Sequence, residues 1–333
     1  MSNERPRNNF DGLRLLAALA VLFSHHFPIW GRPYPASVNI PMVGGAAVMA
    51  FFVISGYLVT LSWWAQPRLL AFAAKRVLRI WPALVVVVLL ALCVLGPLLS
   101  SLPLAEYGRN PMTADYLRNL LLQTRYNLPG VFTNHPLANT INGSLWTIPM
   151  EVACYAVLAA CGVLGLLRWR WLWALACLGY LLWFMGTMSM DILGAMQHRW
   201  EFPAYFVFGS LIATLREHFL PHRWRYAALA GAAALLACAL NFPYTALLLF
   251  MPAALIAVGT STWPVLSQAG RFGDVSYGVY LYAFPIQQTL YHLWPQLGFG
   301  TSLALAATLS LVAGWLSWRL VEAPALRLKV WLR

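Results

Sequence analysis

An all-α integral membrane protein, a bundle of about ten transmembrane helices, is the fold class this 333-residue chain predicts. Three observations carry that expectation. The residues are 61% hydrophobic and only 10% charged, where a soluble domain carries about 25% charged residues. Four stretches, 80–105, 171–190, 226–270 and 275–318, contain no Asp, Glu, Lys or Arg. A span needs about 20 apolar residues, so each of the last two stretches holds two spans. Their turns are visible at Asn241-Phe242-Pro243-Tyr244 and at Trp294-Pro295-Gln296-Leu297-Gly298.

Taken in order, the first helix is expected at 12–29. Arg5 and Arg7 ahead of it give the start a signal-peptide look, but the continued hydrophobicity and the lack of a small-residue cleavage pattern favour an uncleaved anchor. The second, 43–64, opens on Val43-Gly44-Gly45-Ala46-Ala47, small residues that let a helix approach another backbone closely. The third, 80–99, follows Lys75-Arg76-Val77-Leu78-Arg79, with Pro82 suited to a first helical turn. Residues 100–143 are polar, rich in Asn and Pro, and form the largest extramembrane segment of a single domain, 1–333. The remaining helices are expected at 145–166, 171–188, 201–215, 226–241, 244–260, 275–292 and 301–319.

Orientation follows from Lys and Arg alone. With the N-terminus inside, 17 of the 22 fall on cytoplasmic segments and five (Arg32, Arg109, Arg118, Arg125 and Arg199) on outer ones. Both termini are therefore expected in the cytoplasm and the 100–143 loop outside. The net charge of +12 fits basic cytoplasmic loops facing anionic lipid better than nucleic acid, for which the chain offers no soluble domain. Five cysteines lie in apolar stretches without metal-ligand spacing, so neither a disulfide frame nor zinc is expected.

Arg14 and His25 stand eleven residues apart in the first helix. Eleven steps make about three turns, which puts both side chains on nearly one face, about 16 Å apart along the axis. Titratable groups in lipid are costly and usually face a protein interior or a watery cavity. A cation near one end and an imidazole deeper in suit a site that holds an anion at the surface and does chemistry below it. His26 follows directly, but neighbours point about 100° apart and the phase of Arg14 selects His25. An imidazole can serve as general base on a hydroxyl near neutral pH; in an apolar helix it can equally be a hydrogen-bonded structural group.

Arg76 and Arg79 share a face. Either they bind phosphate, which the planar guanidinium fork suits, or they pin the inner end of the span, a reading that suffices for Arg68 and Lys75. Glu151 is either a structural partner of a tryptophan or backbone donor, or an orienter of a histidine or of a sugar hydroxyl. Ser55 is packing or a polar contact to an acceptor. Trp146 is an interfacial anchor or a stacking surface for a sugar ring.

Six segments, in order, resemble the membrane acyltransferase-3 family over about residues 10–328. They are Phe10-Asp11-Gly12-Leu13-Arg14 with His25; Phe51-Phe52-Val53-Ile54-Ser55-Gly56-Tyr57-Leu58; Lys75-Arg76-Val77-Leu78-Arg79-Ile80-Trp81-Pro82; Ser144-Leu145-Trp146 through Glu151; Ser276-Tyr277-Gly278-Val279-Tyr280-Leu281-Tyr282; and Val321-Glu322-Ala323-Pro324. The resemblance implies a ten-helix enzyme of a bacterial inner membrane. Such an enzyme takes an acyl group, usually acetyl, from cytoplasmic acyl-CoA to a hydroxyl of a polysaccharide such as exopolysaccharide or lipopolysaccharide. Acyl-CoA is then a co-substrate, with no permanently bound cofactor or metal. Arg14 and His25 match the family's Arg-x10-His motif, Arg76 and Arg79 its Arg-x2-Arg pair, and Glu151 its helix 4 acid. Two departures stand out: Ala283 replaces the histidine many relatives carry after Tyr-Leu-Tyr, and no esterase-like C-terminal domain is expected.

The expected partners are acyl-CoA, a glycan or lipid-linked saccharide, and membrane lipid. Acyl-CoA is multiply anionic whereas its pantetheine arm is thin and mostly uncharged, so arginines at the inner mouth could hold the phosphates while the arm runs outward to His25. The acceptor hydroxyl then attacks the thioester directly, or an acyl-histidine relays the group. An acceptor inside the cell is the alternative within the family. A transporter of polar solutes or lipid-linked sugars would show inverted repeats, and the sequence has no such symmetry. A glycosyltransferase would need clustered outer acids, whereas Glu106, Asp115 and Asp191 are scattered.

Overall fold

The structure is a computed structural model that describes residues 8–36, 39–189 and 198–329. Arg5, Arg7, Asp191 and Arg333 lie outside the described residues, as does the side chain of Arg199. Among the described residues every named element is helical, apart from one isolated bridge between Ser100 and Val131. Ten helices run 17 residues or more: α1 Phe10–Ile29, α2 Ile40–Ala65, α3 Leu69–Leu90, α4 Thr147–Val163, α5 Arg170–Ser189, α6 His198–Thr214, α7 Arg223–Ala239, α8 Pro243–Gly259, α9 Ser276–Leu293 and α10 Phe299–Ser317.

Among the described residues, five segments are long and apolar enough to cross a membrane: Phe10–Ile29, Met42–Ala65, Leu69–Leu99, Gly143–Val163 and Phe299–Arg327. A sixth arises if α8 and the stretch Pro264–Arg271, bent by 65° at the break, form one span. The chain is thus an all-α, multi-pass membrane protein. Helix α9 is a different kind of element. It is buried along most of its length and carries Gln287 and Gln288 within that buried surface, which suits a helix surrounded by protein rather than lipid.

The start of α3 differs from that expected. Helix α3 begins at Leu69, not near 80, because Leu69–Leu78 continues the apolar, helix-forming run despite its basic residues. Pro82 therefore sits inside the helix rather than in its first turn. Lacking an N–H, it leaves the carbonyl of Leu78 without its intrahelical donor. The 100–143 segment carries short helices at Leu104–Arg109 and Pro111–Asp115 and a 3-10 turn at Tyr116–Leu121, and it buries Tyr107, Tyr116, Leu128, Val131 and Phe132.

The chain divides into two compact units, Met1–Ala17 with Val48–Phe72 and Met150–Gly270, and Ala18–Ala47 with Ala73–Pro149 and Arg271–Arg333. In the first unit α2 and α6 cross at Gly56 and Gly209. A Cβ on Gly56 would collide with the Phe206 carbonyl, and one on Gly209 with the Val53 carbonyl. Thr60 donates to the Gly56 carbonyl or to Ser210 Oγ, both at 2.7 Å, and the Trp173 indole donates to Ser210 at 2.9 Å, so the crossing is polar as well as close. Asn9 anchors the start of α1 to the end of α8, its amide donating to the Val258 carbonyl at 2.8 Å. In the second unit α9 and α10 meet at Gly278 and Gly314, where a Cβ on Gly278 would lie 2.7 Å from the Gly314 Cα.

Where backbones touch, an added methyl has no rotamer to escape into. Gly209→Ala is expected to force α2 and α6 apart and lower stability by about 1–3 kcal/mol, read as a fall in the thermal unfolding midpoint in detergent; Gly179→Ala, at a glycine with open space around its Cβ position, is the control.

Candidate active site

The two adjacent histidines of α1 have different surroundings. His26 is fully buried, its Nε2 lies 3.0 Å from Ser302 Oγ, its Nδ1 lies 2.9 Å from Gln287 Nε2, and its ring stacks on Trp30. Both of its nitrogens are thus engaged. His25 is half-buried, and its ring meets the edge of Phe284 on α9 at 5.2 Å between centroids. The 100° step between neighbours explains the division: one imidazole turns into the α9–α10 interior and the other stands beside it.

Phe284 also fixes what lies on its other side. A Cβ on Gly143 would come within 2.5 Å of its ring. Gly143 opens the 3-10 turn Gly143–Trp146, capped by Asn142, whose Oδ1 accepts from the Ser144 N–H. The Asn142 amide also donates to the Leu281 carbonyl at 2.8 Å, while Thr147 and Tyr280 share a hydrogen bond at 2.7 Å. The turn that carries Trp146, itself half-buried, is therefore seated on α9, where Phe284 meets both Gly143 and His25.

Glu151 and Ser55 are brought together in the first unit. The Glu151 carboxylate accepts from Ser55 Oγ at 3.1 Å and from the Tyr155 phenol, and the two hydroxyls lie 2.7 Å apart. With Tyr155 donating to the carboxylate, the single Ser55 proton is shared between that carboxylate and the phenol oxygen. Two hydroxyls thus occupy Glu151, where the sequence reading offered it to a histidine, a tryptophan or a sugar. Tyr155 was not among the sequence-derived candidates, although its Glu-x3-Tyr spacing puts it one turn from Glu151 on the same face.

The three arginines have different surroundings. Arg14 pairs with Asp11 one turn earlier at 2.5 Å, and it belongs to the first unit. Arg76 is half-buried in the second. Arg79 donates to Asp274 at 2.6 Å and to Glu322 at 3.4 Å, and it lies 5.4 Å from the Tyr277 ring centroid. Ser317 donates to the other oxygen of Glu322 at 2.9 Å, and Ser276 to Asp274 at 2.5 Å. Two carboxylates already take up the Arg79 charge, so a phosphate would have to compete with both. The i,i+3 spacing put Arg76 and Arg79 on one face; it carried no information on acids 195 and 243 residues further along.

At the end of α9, His135 joins the 100–143 segment to the helix. Its Nδ1 lies 2.8 Å from Gln288 Oε1 and its Nε2 lies 3.3 Å from His292. Burial holds the His135 imidazole below its ordinary range, offset in part by the Gln288 hydrogen bond and reinforced by His292. Among the described residues no group of three or more His, Cys, Asp or Glu side chains is placed to hold a metal ion.

Removing one partner of a buried ion cluster strands the others. Arg79→Ala is expected to cost about 3–5 kcal/mol, and the double variant Arg79→Met, Glu322→Gln much less than the sum of its single changes. Thermal unfolding of the four proteins measures this; strict additivity would dissolve the cluster as a unit.

Residues 7–319 match the acyltransferase-3 family, described as an acyltransferase domain. An O-acetyl transferase of Shigella phage Sf6 is 32% identical over 331 residues, covering 95% of each chain. Nodulation protein 10 of Rhizobium leguminosarum bv. viciae is 30% identical over 380 aligned positions, covering 97% of this chain and 94% of its own. No solved structure matches. The length of the family match and the coverage of both relatives agree with the helical membrane architecture: this chain belongs to the membrane acyltransferase-3 family and is an acyltransferase.

Proposed function

We propose that the protein is an O-acetyltransferase of a bacterial inner membrane. It moves an acetyl group from cytoplasmic acetyl-CoA to a hydroxyl of a cell-surface or secreted polysaccharide, with ten helices across the bilayer and both termini in the cytoplasm. The unequal surroundings of the two histidines support this reading most. Structural hydrogen bonds consume His26, whereas His25 keeps accessible surface beside Phe284 and the Trp146 turn. A general base needs a free lone pair within reach of the hydroxyl it activates, and His25 is the imidazole of the pair with room for one. The name of the phage relative, an O-acetyl transferase, supports acetyl as the group and oxygen as its destination.

In this reading Arg14 holds a phosphate of CoA at the start of α1 and the pantetheine arm runs along that helix toward His25, while Arg76 is a basic group of the second unit whose guanidinium suits phosphate. Arg79, tied to Asp274 and Glu322, organises the inner end of α3 and lends the phosphates only part of its charge. The acceptor reaches the site past Trp146. Glu151, with Ser55 and Tyr155, is a polar cluster of the first unit able to order a hydroxyl or a water. His25 takes the hydroxyl proton as the oxygen attacks the thioester carbon; the C–S bond breaks and CoA leaves as the thiolate, to be protonated by the imidazolium.

His25→Ala is expected to abolish acetyl transfer with little change in unfolding midpoint. His26→Ala should lower the midpoint, because it leaves the buried Gln287 and Ser302 without their partner. Transfer near the wild-type rate in His25→Ala would remove that residue from the mechanism. Arg14→Ala or Arg76→Ala should weaken acetyl-CoA binding by about 1–3 kcal/mol, measured by calorimetry in detergent. Mass spectrometry of surface glycans from cells with and without the gene tests the acceptor class, through the loss of an acetyl-sized increment.

A further inference from the structure

Four buried side-chain oxygens of the second unit, those of Ser144, Gln287, Thr289 and Ser310, have no hydrogen-bond partner among the described residues, and only that of Gln287 belongs to the network around His26. Ser302 donates its hydroxyl proton to the Phe299 carbonyl at 2.9 Å, so its oxygen accepts from His26 Nε2–H. With the His26 proton on Nε2, Nδ1 carries the lone pair and accepts from the Gln287 amide at 2.9 Å. The second amide N–H of Gln287 goes to the Leu22 carbonyl at 3.0 Å. Both donors are thereby spent, and the reverse amide orientation would set two oxygens against each other at Leu22. Gln287 Oε1 is left without a donor among the described residues, on a side chain with no exposed surface.

Such an acceptor is costly to bury unless something donates to it. Its location gives it meaning. Leu22 precedes His25 by one turn of α1, and Phe284, which meets the His25 ring, precedes Gln287 by one turn of α9. The Gln287 side chain thus bridges α9 to α1, bonded to Leu22 one turn before His25 and to His26 next to it. Both substrates of an acetyl-CoA-dependent O-acetyltransferase bring donors to that level: the amide N–H nearest the thioester sulfur, and the acceptor hydroxyls.

We propose that Gln287 is a substrate-binding residue whose Oε1 accepts a hydrogen bond from an N–H or O–H donor of the substrate beside His25. The inference rests on the acetyl-CoA reading above. Nothing in it requires His25 to act as base rather than as a relay, since either chemistry needs the thioester and the hydroxyl held in register.

The test is steady-state kinetics of the purified full-length protein, with acetyl-CoA and with polysaccharide prepared from cells lacking the gene. Gln287→Met removes the oxygen at nearly constant length. Gln287→Asn withdraws it by one methylene, and carries the comparison if the Met variant does not fold. Gln287→Glu keeps a carbonyl oxygen in place. Ser302→Ala cuts the same network on the far side of His26 and leaves Oε1 untouched. The expected result is a KM about tenfold higher for one substrate in the Met and Asn variants, recovered in part by Glu and absent in Ser302→Ala. An increase confined to acetyl-CoA assigns the donor to the pantetheine amide, and one confined to the polysaccharide assigns it to the acceptor hydroxyl. Unchanged KM for both substrates, or an equal change in Ser302→Ala, overturns the inference and leaves Gln287 as an anchor for His26. Wild-type protein that neither binds nor consumes acetyl-CoA would instead overturn the functional reading beneath it.

Discussion

Every polar group within an apolar helical bundle must find a partner inside the protein, and that constraint organises this molecule. Lipid offers no hydrogen bonds, so each such group is either satisfied or expensive. Arg79 meets it with two carboxylates from distant segments, which are in turn held by Ser276 and Ser317. His26 meets it with Ser302 and Gln287, and Glu151 with two hydroxyls. Because satisfaction is the rule, the half-buried His25 and the orphan oxygen of Gln287 become informative.

Close backbone approach is the second organising feature. In the absence of a hydrophobic force between helices in lipid, association depends on packing and on short polar contacts. The Gly56–Gly209 crossing combines both, with Thr60, Ser210 and Trp173 beside it. That crossing positions the stretch of α2 from which Ser55 reaches Glu151 and Tyr155. Helix α9 plays the corresponding part in the second unit. Packed on α10 through Gly278 and Gly314, it carries Phe284 against His25, Gln287 against His26, and Gln288 and His292 against His135 of the 100–143 segment.

Much of this was legible in the sequence, and what was not has identifiable causes. Charge-free stretches and their turns revealed helices because lipid tolerates little else. The start of α3 was misplaced by about eleven residues since Arg76 and Arg79 resemble a span boundary, whereas half of that boundary is an internal ion cluster. The polarity of 100–143 marked it as a long connection, while the burial of its Tyr107, Tyr116, Leu128, Val131 and Phe132 depends on contacts that local sequence does not encode. Tyr155 was readable from its spacing to Glu151 and was passed over, because a tyrosine in an apolar helix carries no signal until a carboxylate is seen to need a donor.

The sequence by itself determined the class: a multi-pass, all-helical acyltransferase, with the titratable residues from which a site can be built. The helical membrane class follows from composition and local periodicity, which depend on near neighbours along the chain, and the acyltransferase activity from the resemblance of six ordered motifs to the family. Tertiary structure decided how those residues divide between structure and exposure. It assigned His26 to a buried network beside a more open His25, and Arg79 to Asp274 and Glu322. Partners 195 to 276 residues apart in sequence meet only when helices pack, and neither spacing nor composition encodes which partner a buried charge will find.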